Sequence, residues 1–127
     1  MTKREIFDKI LQETADVCDV SPTDIINAVR KEDVVTARAI LVFWCDAAGF
    51  SVESLLKCVD CNYANSINAI KSKQEDFWKN RFAYHMLVKE VGTRLHDYAI
   101  SIGEDFDMWR PLDHIAKMTG KYKYLHR

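Results

Sequence analysis

Glycine and proline are scarce in this 127-residue chain, which has four of one and two of the other. So few chain-breaking residues exclude a turn-rich sandwich or barrel. With few alternating β-branched runs and much Leu, Ile, Ala, Lys and Glu, the composition predicts an all-α protein. An excess of one charge is missing too: 18 Lys and Arg stand against 19 Asp and Glu, a formal net charge of −1. Nucleic-acid-binding domains are usually basic on at least one face, so a polyanionic partner would have to be met by a local basic patch. No apolar run reaches the roughly 20 residues that span a bilayer. The start, Met1-Thr2-Lys3-Arg4-Glu5-Ile6, leads into an amphipathic helix and not into the apolar core of a signal peptide. A soluble, cytoplasmic protein without a membrane partner is expected.

Catalytic motifs are absent as well. There is no glycine-rich phosphate loop, nucleophile elbow or HExxH. His85, His96, His114 and His126 lack an acid or nucleophile partner at motif spacing, and the carboxylates are scattered along polar faces. Neither an enzyme, a cofactor nor a small-molecule substrate is expected. Cys58 and Cys61 have the CxxC spacing of many zinc sites, but the second half of such a site is missing. No metal is expected; the cysteines read as reduced thiols, with Cys18 and Cys45 packed as small apolar residues.

What is present is helical periodicity. About half of the residues are apolar, enough for one compact core. Residues 1–100 are read as the domain and 101–127 as an extension that packs on it or prolongs it. A first helix is predicted from Lys3 to Val17, with Ile6, Phe7, Ile10, Leu11 and Ala15 as the buried stripe. A short second helix, Pro22 to Ala28, follows a Ser21 cap and buries Ile25 and Ile26. After Arg30-Lys31-Glu32-Asp33, with Asp33 as cap, a third helix from Val34 to Ala48 is apolar on most sides and should be central, with Gly49 ending it.

The stretch from Phe50 to Lys73 reads as a helix-turn-helix. Ser51 is placed to cap a short helix carrying Val52, Leu55, Leu56 and Val59 on one face. Asp60-Cys61-Asn62 then interrupts the pattern, and Ile67 and Ile70 resume it. Two short helices about a tight turn can lay the second in a DNA major groove, with its first turn toward base edges. That turn is Tyr63-Ala64-Asn65-Ser66, preceded by Asn62, and an Asn amide can pair bidentately with adenine. Phe77, Trp78, Phe82, Met86, Leu87, Val91, Leu95, Tyr98 and Ile102 continue a helical spacing as one or two further helices, with a break expected near Gln74-Glu75-Asp76 or at Gly92. In the tail, Lys117, Lys121, Lys123 and Arg127 lie among Tyr122, Tyr124 and His126. The preferred reading there is a short helix from Asp113 to Met118 and a frayed end.

From about Ile6 to Leu95 the order of elements resembles the C-terminal duplex-binding domain of the bacterial replication initiator DnaA. The likeness runs through the first amphipathic helix, Val20-Ser21-Pro22-Thr23-Asp24-Ile25-Ile26, the basic loop, Val34 to Ala48 and the helix-turn-helix. It implies a compact helical domain of the Trp-repressor/DnaA C-terminal kind, with additional C-terminal helices. It also implies double-stranded DNA as partner. By this resemblance Arg30 and Lys31 correspond to the loop that enters the minor groove, and Arg38 and Ser51 to residues that meet phosphates. The family's Asp-His-Thr-Thr signature stands here as Tyr63-Ala64-Asn65-Ser66, and its ATPase module has no counterpart. The alternative is a degenerate helix-turn-helix fold that binds a protein, suggested by the near-neutral charge, the altered signature and the acidic Glu32 and Asp33.

Overall fold

The computed structural model describes residues 2–27, 29–59, 69–70, 76–77 and 82–103, which are mostly helical and contain no strand. Five helices are set out: α1 (Lys3–Cys18), α2 (Pro22–Ile26), α3 (Glu32–Ala47), α4 (Val52–Leu56) and α5 (Phe82–Ile102). Helix α1 starts in a capping box. The Thr2 hydroxyl accepts from the Glu5 amide at 3.2 Å, and the Thr2 amide donates to the Glu5 carboxylate at 3.2 Å. All five residues of its anticipated stripe are buried, together with Thr14. Its end differs from any sequence expectation. Asp19 takes a left-handed conformation, φ 55°, while its amide bonds Asp16 O and the Val20 amide bonds Ala15 O. These bonds occupy carbonyls the helix would otherwise leave open.

Helix α3 is the centre, buried from Val34 at its start through an unbroken run from Ala37 to Cys45. It begins two residues earlier than anticipated. Lys31 is the cap residue and its carbonyl accepts from the Val35 amide, so Asp33 lies in the first turn and does not cap; its carboxylate accepts from the Val34 amide at 2.8 Å. Glu32 and Asp33 therefore sit where the helix dipole favours negative charge. Gly49 ends the helix as expected: at φ 93° its amide bonds Asp46 O while the Phe50 amide reaches Cys45 O. Ser21 holds the cap position of α2 without a side-chain hydrogen bond, and α2 closes at Ile26, two residues short of the expected end.

Helix α1 runs antiparallel to α3. Arg4 near its start donates to Cys58 O beyond α4, and Cys18 at its end lies within electrostatic reach of Asp33. It is antiparallel to α5 as well, with Lys9 over the Tyr98 ring and Arg94 paired to Glu13 and Asp16. Of the two places offered for a break, Gln74 and Glu75 lie outside the described residues, and at Gly92 none occurs; α5 continues through it to Ile102 and stops at Gly103, φ 67°. Glycine is used there for contact with α3: the Trp44 ring occupies the space a side chain would fill, and its Nε1 donates to Val88 O at 3.1 Å. One turn and more up the same pair, the buried Tyr84 hydroxyl donates to Ala39 O at 3.5 Å and its ring stacks on Phe77 at 5.6 Å. No helix among the described residues is long and apolar enough to cross a membrane.

Candidate nucleic-acid interface

The residues assigned to DNA contact fall into three places. The first is the connection between α2 and α3. Helix α2 has a single turn, and the chain beyond it returns the Asn27 amide to Thr23 O at 3.0 Å and the Val29 amide to Asp24 O at 3.4 Å. The carbonyls at its end are also met by Arg38, which is 4 % exposed. Its Nε donates to Ile25 O at 3.0 Å, and one Nη donates to Asp24 O at 3.2 Å and Val29 O at 2.9 Å. The phosphate contact assigned to Arg38 is therefore corrected: its guanidinium faces inward and is committed to three backbone carbonyls. The physical reason is that α3 buries nearly its whole circumference, and an arginine in such a helix must find acceptors inside. Val29 immediately precedes Arg30, so these bonds fix the base of the loop that carries Arg30 and Lys31. Both of those residues are exposed, as are Glu32 and Asp33 next to them.

The second place is the start of α4. Ser51 caps as anticipated, its hydroxyl accepting from the Ser54 amide at 3.1 Å and lying 3.0 Å from the Ser54 hydroxyl. Leu55 is buried, and Val52, Leu56 and Val59 are half-buried. The start of α1 packs beside this turn. Lys3 Nζ donates to Ser54 Oγ at 3.4 Å and lies 5.6 Å from the centre of the Phe50 ring. Arg4 also pairs with Asp8 at 3.3 Å, so its guanidinium is spent on holding α1 to the end of α4. Periodicity gave no sign of Lys3, because the contact joins residues 51 apart.

The third place, the first turn of the second helix of the pair with Asn62, Tyr63, Asn65 and Ser66, lies outside the described residues. So do the turn Asp60-Cys61-Asn62, Ile67 and the tail helix assigned to Asp113–Met118. Ile70 is helical and buried. Cys58 is half-buried with its thiol directed at Ser54 O, and no group of three metal-ligating side chains occurs among the described residues.

The first two places lie at opposite ends of α3. The Arg30–Lys31 loop precedes α3 and α4 follows it, so they are separated by the length of α3. Its 16 residues span about 24 Å at a rise of 1.5 Å each. Compared with protein-family models, with curated proteins and with solved structures, the chain matches none.

Proposed function

We propose that this protein binds double-stranded DNA, with the segment from α4 onward as a helix-turn-helix and the α2–α3 loop as a second contact. The observation that carries this reading is the loop itself. Two exposed cations, Arg30 and Lys31, stand on a connection pinned from beneath by Arg38. A cation on a fixed loop loses less conformational freedom on reaching a phosphate than one on a free segment. The spacing of about 24 Å between loop and α4 corresponds to about seven base pairs at 3.4 Å each, enough for contacts in adjacent grooves. The element order that resembles the DnaA duplex-binding domain supports the same assignment. Glu32 and Asp33 work against it and imply modest affinity.

Fluorescence anisotropy with a labelled pool of random duplexes tests the proposal. Binding at low salt should weaken steeply as salt rises, because each phosphate contact releases counterions. Replacing both Arg30 and Lys31 by Ala should flatten that dependence by about two in the logarithmic slope without lowering the melting temperature. Failure of the unaltered protein to bind any duplex at low salt overturns the reading.

A second reading, a protein-binding module, is favoured by Met86 and Ile100, which are 61 % and 58 % exposed on α5. Under it, a partner captured by the protein would be held equally well by the Arg30/Lys31 double variant.

A further inference from the structure

In helix-turn-helix complexes the first helix of the pair crosses the DNA backbone while the second enters the groove. Here that first helix is α4, whose opening turn presents the Ser51 and Ser54 hydroxyls. Hydroxyls alone carry no charge to offset a phosphate. The cation at this place comes from another element: Lys3, at the start of α1, is exposed and lies on Ser54. We infer that Lys3 is a further DNA-backbone contact, carried to the start of α4 by the packing of α1, so that phosphates are met by cations at both ends of α3.

Three features set Lys3 apart from its neighbours. Its partners among the described residues are a hydroxyl and an aromatic ring, both neutral. An ammonium has three donors, so the bond to Ser54 leaves capacity for an anion. Arg4, one residue on, is already engaged by Asp8 and by Cys58 O. The Phe50 ring and the Ser54 hydroxyl also restrict where the Lys3 ammonium can go, which lowers the entropy lost on contact.

This inference rests on the proposed DNA binding, and the experiment separates their failures. Duplex affinity is measured by anisotropy across a salt series for the unaltered protein, K3A, K3R and K89A, the last removing the same charge from α5. For K3A the expected result is a several-fold loss of affinity at low salt, a logarithmic salt slope reduced by about one, and an unchanged melting temperature. K3R should restore most of the affinity, and K89A should stay close to the unaltered protein. Duplex binding whose salt slope K3A leaves intact, or that K89A weakens equally, overturns the role of Lys3 and leaves the proposed function standing. Absence of duplex binding by the unaltered protein overturns both.

Discussion

Trp44 of α3 and Gly92 of α5 meet so closely that a Cβ built on Gly92 would stand 2.5 Å from Trp44 Cζ2 and 2.7 Å from Cη2. The same indole donates to Val88 O, one turn earlier on α5, at 3.1 Å. The two helices are thus locked by one ring that needs a bare backbone opposite it, and Phe43 packs edge-on against that ring at 5.0 Å.

Gly92→Ala should therefore destabilise the protein, although alanine is the better helix former by about 1 kcal/mol. The clash is with a large buried ring that has little room to move, and overpacking of this sort costs about 1–3 kcal/mol. With a contact as short as 2.5 Å the cost falls in the upper part of that range, and after the alanine gain a net loss of up to about 2 kcal/mol in urea unfolding is expected. Trimming the ring first, as in Trp44→Leu, should make the added methyl much less harmful, so the double-mutant cycle should show coupling. A Gly92→Ala protein as stable as the original would contradict the geometry.

Arg38 distinguishes an internal scaffold from a surface anchor. Arg38→Ala removes three hydrogen bonds from a charged donor and leaves the buried Ile25 carbonyl and the partly buried Asp24 and Val29 carbonyls without it. The expected loss is about 3 kcal/mol or more, seen as a lower urea midpoint. Arg38→Lys should recover only part of it, because an ammonium cannot match the planar fork. A phosphate anchor on the surface would have left stability unchanged.

The Thr14 hydroxyl lies in the core with no hydrogen-bond partner among the described residues. Thr14→Val keeps the shape and removes the unsatisfied polar group, so stability should rise by about 1 kcal/mol. An unchanged or lower unfolding free energy would show that the hydroxyl is satisfied in solution.

Asp19 adopts φ 55°, a region that favours glycine, and places a negative charge at the end of α1 where the helix dipole disfavours it. Asp19→Gly should raise stability by about 0.5–1 kcal/mol, read from the melting temperature. A lower melting temperature would mean that the carboxylate contributes more to the fold than the relaxed backbone returns.

Burial pushes the Cys18 thiol up to about 11 from its ordinary value near 9, with the charge of Asp33 adding to the effect. The folded thiol should react slowly with iodoacetamide at pH 8.5 while the unfolded one reacts readily. The unfolded chain releases this proton near pH 9 and the folded chain only near 11. Stability contributed by the neutral thiol is thus fully present below pH 9 and falls between 9 and 11. Cys18→Ala should lose that part of the alkaline decline, and Asp33→Asn should move the folded-state thiol titration to lower pH, so that the decline still begins near 9 but ends sooner.

Much of the scaffold was legible in the sequence because it depends on chemistry within one or two turns. The stripe Ile6, Phe7, Ile10, Leu11 and Ala15 follows from helical spacing, the stop at Gly49 from a residue free to take positive φ, and the start of α4 from the Ser51 hydroxyl. The density of apolar residues from Val34 to Cys45 likewise marked α3 as central. Periodicity says that a helix has a buried face, but not what that face meets. For that reason Arg38 read as a surface cation and Gly92 as one of two places for a break, and Lys3 drew no notice.

Tertiary structure decided each of these through contacts between residues distant in sequence. Arg38 turned inward because α3 is buried beside the single turn of α2, where the Asp24, Ile25 and Val29 carbonyls accept from it. Gly92 remained helical because Trp44 fills its missing side chain, and Lys3 became part of the α4 surface because α1 packs antiparallel to α3. The sequence by itself determined which segments are helices and which sides they bury, since both are local consequences of spacing and capping. Only the packing of those helices decided which charged groups are consumed inside and which stand outside, because a charge in contact with protein must find its partner wherever the fold brings one within reach.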